Sequence, residues 1–166
     1  MGGEIEVVLF DFGGVVVPLS GAEGMIEAGS RLGLDTALLH TMLYDGDLWR
    51  DVSTGKLTVD QFWKGVSTAT GHEAELLQAI LRDIWEPPRL DPAVISLVRV
   101  LRQHVRVAML SNATTGLEEH LSRLGIADLF DPIINSARVG LRKPDQAVFQ
   151  HALKILDVPA HAVLFV

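Results

Sequence analysis

Short, mainly apolar runs alternate along this chain with longer stretches in which apolar residues recur every three or four positions. These runs are Val7 to Phe10, Val105 to Leu110 with Arg106 its one polar residue, Pro132 to Asn135 with Asn at its end, and Ala162 to Val166. Runs this short and this rich in Val, Ile, Leu and Phe predict strands buried on both faces, as in parallel sheets. The three-and-four spacing predicts helices. Gly21 to Leu32 carries Met25, Ile26 and Leu32, with Gly33 as terminator. Asp35 is the expected N-cap of a helix over Thr36 to Tyr44, and Asp47 to Val52 reads as a short further turn. Thr58 caps a helix with Phe62, Trp63 and Val66 inside, and Glu73 to Trp85 places Leu76, Leu77, Ile80, Leu81 and Ile84 on one face. Glu86-Pro87-Pro88-Arg89-Leu90-Asp91-Pro92 is the clearest breaker. Helices are then expected over Pro92 to His104, Thr115 to Leu124, and Pro144 to Leu156 with the proline in its first turn.

A strand, a long helical stretch and then alternating helix and strand predict an α/β fold. It is a Rossmann-like open parallel sheet with an all-helical cap inserted after the first strand. The expected boundaries are 1–18 and 87–166 for the α/β core and 19–86 for the insertion. No internal repeat or low-complexity segment interrupts this pattern.

Composition narrows the partners. A length of 166 residues suits one core plus a small inserted subdomain. The formal charge of −7 is dispersed, with no basic run, which argues against nucleic acid and against an anionic membrane surface. No cysteine is present, so disulfides, thiolate zinc sites and cysteine nucleophiles are excluded. Glu4 and Glu6 stand where a leader would be basic, and no apolar stretch approaches the ~20 residues that span a bilayer. A soluble, cytoplasmic protein is expected.

Three polar positions sit at the expected carboxyl ends of strands. Asp11 ends the first run and is followed by Gly13 and Gly14; Ser111-Asn112 ends the second; Lys143 lies in G-L-R-K-P-D after the third. Each has a bland reading alone: Asp11 as a turn former, Ser111 as a helix cap, Lys143 as a solvated loop lysine. Together, a carboxylate, a hydroxyl beside backbone amides and an ammonium at one sheet edge make a phosphate site with a nucleophile.

These motifs resemble the haloacid dehalogenase superfamily, in particular phosphatase-like members with a helical cap. F-D-F-G-G-V is similar to the first motif, L-S-N to the second and R-K-P to the third, with the cap from about Leu19 to Trp85. The resemblance implies that Asp11 attacks phosphorus to form an aspartyl-phosphate, that Ser111 holds a phosphoryl oxygen, and that Lys143 steadies the nucleophile and the transferring group. It implies Mg²⁺ bound by Asp11, by the Gly13 carbonyl and by acids of a fourth motif. Phe12, Gly13 and Asn112 are expected to bind the substrate alongside them. In the cap, Trp49 and Arg50 are the expected selectors of substrate. Tyr44, Trp63 and Trp85 are further candidates, Trp63 being expected to fill the core, and His40 is a weaker one.

Two departures shape the functional expectation. Many related phosphatases carry a second Asp two residues after the nucleophile as general acid and base, and here that residue is Gly13. A placed acid contributes typically ~10²–10⁴-fold, so anomeric sugar phosphates or acyl phosphates are the favoured substrates. The fourth-motif acids would follow Ala162 to Val166, where the sequence stops, so a truncated core is expected, without its last strand and helix and with weak metal binding. Asp145 is expected to serve a helix N-terminus rather than to replace them. The leading expectation is a Mg²⁺-dependent phosphatase of small phosphorylated metabolites. The alternatives are a haloacid dehalogenase proper and an inactive fold that binds a phosphate ligand or a protein. The dehalogenases carry an aromatic residue at the Gly13 position and an early Arg, whereas the first Arg here is Arg31. An unpaired edge on the fourth strand would favour pairing into a homodimer.

Overall fold

A computed structural model describes residues 4–18, 22–85 and 90–166. The expected crossings into and out of the helical insertion, at 19–21 and 86–89, lie outside the described residues. Four parallel strands, β1 (Val7–Phe10), β2 (Arg106–Ser111), β3 (Ile133–Asn135) and β4 (Val163–Phe165), form one sheet in the order β3-β2-β1-β4. In register, Phe10 lies opposite Met109, Ser111 opposite Asn135, and Leu9 opposite Phe165. The carboxyl ends of all four strands therefore share one edge.

The apolar runs are explained by two covered faces. Successive strand residues point to opposite sides, so Val8, Phe10, Val107 and Met109 enter one core while Val7, Leu9, Ala108 and Leu110 enter another. Helices α6 (Pro92–Leu101) and α7 (Leu117–Arg123) cover the first face with Ile95, Val98, Leu117 and Leu121. Helix α9 (Gln146–Leu156) covers the second with Val148, Ala152 and Leu156.

Between β1 and α6, residues 22–85 are mainly helical. Helices α1 (Ala22–Leu32), α2 (Thr36–His40), α3 (Asp47–Val52), α4 (Val59–Thr70) and α5 (Ala74–Trp85) enclose a third core around Leu39, Phe62, Val66, Leu77 and Leu81. The predicted caps form: the Asp35 carboxylate accepts from Leu38 N–H, and Thr58 and Gln61 make a reciprocal capping box.

The elements depart from the sequence pattern in three places. Thr36 to Tyr44 is not one α-helix: the turn over Thr41–Asp45 is π-helical and closes on Gly46 N–H to Thr41 O. Pro144 is not in a first helical turn. The Lys143–Pro144 peptide is cis, a turn closes from Asp145 N–H to Arg142 O, and the helix starts at Gln146. Ser136–Val139, which carries no periodic signal at its length, is a short helix (α8) ending on Gly140 in the left-handed region.

β4 lies at the sheet edge, with Leu164, Phe165 and Val166 between 42% and 49% exposed. The helical region touches the sheet-bearing part through a glycine. Gly55 has φ +72°, and a Cβ there would overlap the Ala137 carbonyl of α8. Gly33 has a similar φ of +64° but opens onto space. Gly33→Ala is expected to cost about 1–2 kcal/mol, the conformational penalty alone. Gly55→Ala should cost a further ~1–3 kcal/mol from overpacking. Urea denaturation of the two variants side by side measures the difference.

Candidate active site

Asp11 leaves β1 at its carboxyl end with its backbone N–H donating to Val166 O (2.9 Å). Its side chain is held from two directions. Phe12 N–H donates to Oδ1 at 2.7 Å, and the Lys143 ammonium lies 2.7 Å from Oδ2. The loop beyond turns back on itself, with Val16 and Val17 N–H both donating to Phe12 O and Gly14 at φ +82°. A side chain at Gly14 would resist that conformation, which is why a glycine follows the strand so closely.

Lys143 is positioned by its neighbours. Asn112 Nδ2–H donates to Lys143 O (2.9 Å), and Lys143 N–H donates back to Asn112 Oδ1 (2.8 Å). The Asn112 amide thus fixes the lysine backbone while Asn112 also lines the cavity described below. The ammonium also stands 5.2 Å from the centre of the Phe165 ring, close enough for a cation–π contact. Phe165 in turn packs edge-on against Phe149 of α9. Sequence reasoning read Phe165 only as strand filler; nothing but the parallel pairing of β4 with β1 brings it beside Lys143.

Ser111 ends β2 at 3% exposure, and the loop after it is tied to the end of β3. Ala113 N–H donates to Ser136 Oγ (3.0 Å) and Asn135 Nδ2–H donates to Thr114 O (2.9 Å). Both Asn135 and Ser136 are buried polar residues whose hydrogen bonds are met by this loop. Their place after a predicted strand, on the same edge as Asp11 and Ser111, was the available signal for them.

A cavity of about 550 Å³ opens over this edge, within the range of small-molecule sites. Asp11, Phe12, Gly13, Ser111, Asn112 and Lys143 all line it. From the helical region, Tyr44 and Trp49 complete the wall. Arg50 does not join them: α3 turns its guanidinium to Asp47 at 2.7 Å, where it is 55% exposed. Trp63 packs against the helical core, and His40 stacks on the outer side of Tyr44. The side chain of Trp85 lies outside the described residues. Three residues of α7, Leu117, His120 and Arg123, also line the cavity and were not picked out by motif.

The donor set for Mg²⁺ is small. The expected ligands are the Asp11 carboxylate and the Gly13 carbonyl, and among the described residues no group of three acidic, His or Cys side chains gathers to hold a metal. One carboxylate and one carbonyl fit an ion shared with a bound phosphate and waters, and do not make a self-sufficient cage.

Residues 5–166 match the haloacid dehalogenase-like hydrolases. The chain belongs to that family of hydrolases. It is 30% identical to a sesquiterpene phosphatase of Aspergillus oryzae, over 75% of this chain and 64% of that protein. It is 26% identical to a D-ribitol-5-phosphate phosphatase of Bacteroides thetaiotaomicron, over 98% of this chain and 82% of that one. The first curated relatives are longer proteins, of which the chain spans 24% to 64%. The fold superposes with TM-score 0.79 on an enzyme of the same family from Bacteroides thetaiotaomicron, a mutant in complex with magnesium and inorganic phosphate, at 17% identity over 97% of this chain and 83% of that one. No described helix is long and apolar enough to cross a membrane.

Tyr44, the single tyrosine of the chain, has its phenol pushed up to about 12 by burial. Its ultraviolet absorbance should therefore show ionisation near pH 12 rather than at the ordinary value of 10. The unfolded chain ionises first, so the stability this phenol contributes is complete below about pH 10 and is lost as pH rises to about 12. Asn112→Ala removes both bonds to the Lys143 backbone and leaves its N–H and C=O without these partners. A loss of about 1–3 kcal/mol in urea denaturation is expected, together with reduced turnover.

Proposed function

We propose that the protein is a Mg²⁺-dependent phosphatase of small phosphorylated metabolites that works through an aspartyl-phosphate on Asp11. The observation that carries this reading is the Asp11 carboxylate, held 2.7 Å from the Lys143 ammonium in a cavity that Ser111 also lines. The phosphatase relatives from Aspergillus oryzae and Bacteroides thetaiotaomicron support it.

Substrate enters with its phosphoryl group between the Ser111 hydroxyl and the Lys143 ammonium. An Asp11 oxygen attacks phosphorus, the bond from phosphorus to the leaving oxygen breaks, and that oxygen takes a proton from water. A second water then cleaves the acyl phosphate, releasing phosphate and restoring the carboxylate. The paired ammonium holds the Asp11 carboxylate in place and offsets the charge that gathers on the phosphoryl oxygens. Mg²⁺, when held by Asp11 and the Gly13 carbonyl, would add further charge neutralisation between nucleophile and phosphate. Because Gly13 supplies no acid, turnover follows the stability of the leaving group, and anomeric or acyl phosphates should outpace simple alkyl phosphates. Tyr44 and Trp49, on the helical region proposed as a cap over residues 19–86, would select the body of the substrate.

The test is turnover on a panel of activated, sugar and alkyl phosphates, with Mg²⁺ and with EDTA. Wild type should lose most activity in EDTA, and Asp11→Asn should fall by on the order of 10³-fold or more. Undiminished turnover by Asp11→Asn would overturn the reading.

A further inference from the structure

The cavity has a wall, carrying the cation of Arg123, that the phosphoryl chemistry does not use. Gly116, Leu117, His120 and Arg123 recur at three-and-four spacing, so one stripe of α7 faces the cavity. His120 is packed edge-on against Phe12, with ring centres 5.7 Å apart, and so forms the inner part of that wall. Arg123 lies at the outer end of the stripe, exposed to solvent.

Among the described residues, no carboxylate of α7 pairs with Arg123. Glu119 precedes it by four residues, the arrangement that favours an ion pair on a helix. Yet among the described residues no carboxylate lies within ion-pair distance of the Arg123 guanidinium, while Glu118 is engaged by Arg138 at 3.3 Å. Arg123 thus lines the cavity with its charge unpaired by any described carboxylate. Helical side chains lean toward the helix N-terminus, so Arg123 reaches back along α7 toward Gly116 and the Ser111–Thr114 loop. Gly116 and Arg123 are seven residues apart, about 10 Å along the axis. The arginine side chain covers part of that span, which leaves room for a leaving group a few ångström long.

We propose that Arg123 is a specificity residue that anchors a second acidic group, carboxylate or phosphoryl, on the leaving-group side of the substrate. This rests on the phosphatase reading for the place of the first phosphoryl group. A planar guanidinium suits either acid, since both offer two oxygens to its paired N–H groups. The net charge of −7 makes such a preference informative, because the protein as a whole disfavours a more anionic ligand.

Non-hydrolysable ligands test this without turnover. Propylphosphonate, phosphonobutyrate and propane bisphosphonate share one phosphonate and differ in what the far end carries. Titration calorimetry on the wild type should show phosphonobutyrate or the bisphosphonate binding about three- to tenfold tighter than propylphosphonate, with the gap narrowing in salt. Which of the two is tighter identifies the acid. Arg123→Gln should bring the ratio to about one, and Arg123→Lys should keep part of it. Equal affinities in the wild type, or a preference that survives Arg123→Gln, would overturn the proposal while leaving the phosphatase reading intact. Binding of none of the three would count against the phosphoryl site itself, and the proposal would fall with it.

Discussion

The ion pair between Asp11 and Lys143 is the contact on which the arrangement of this edge depends. Its partners come from distant parts of the chain and meet because β1 pairs with β2 and β2 with β3, whose chain continues to Lys143. The Lys143 side chain is 13% exposed, so its charge would be costly to leave alone, and the Asp11 carboxylate meets it. Neither charge is free to wander. The Phe12 amide holds one Asp11 oxygen, and Asn112 holds the lysine backbone at both its N–H and its C=O. The conformational entropy of ordering these groups is met during folding, which leaves less to lose when a phosphate arrives.

The helical region contributes to the same cavity in a different way. Tyr44, Trp49, Phe62 and Trp63 form a chain of edge-on ring contacts, with centres 6.0, 6.3 and 5.1 Å apart in turn. The rings that line the cavity therefore continue into the core of the helices. This also shows why function and packing could not be told apart for these aromatics by spacing: Trp49 and Trp63 belong to one cluster, and only one of them reaches the cavity. The close approach of Gly55 to Ala137 sets where that wall meets the sheet-bearing part.

Much of this protein was legible in the order of its residues. Strands buried on both faces leave an apolar run, so β1 and β2 were visible to within a residue or two; β4 left a similar run although it lies at the sheet edge with Leu164 and Phe165 exposed. The capping signals at Asp35 and Thr58 depend on bonds made within four residues and needed no tertiary information. Asp11, Ser111 and Lys143 could be placed at one edge because parallel strands bring their carboxyl ends together whatever the helices between them do. Those are local or topological facts, and sequence determines them.

What the tertiary structure alone decided concerns direction and company. Arg50 and Trp49 are neighbours in sequence, but the helical turn sends one to Asp47 and the other to the cavity. Asn112 lines the cavity, and only the loop geometry shows that its amide also braces the Lys143 backbone. Phe165, His120 and Arg123 carry no motif, and they reach the site because β4 lies beside β1 and because α7 presents one stripe to the cavity. A side chain's partner across the fold depends on register and rotation between elements, and neither is written in the spacing of residues along one of them.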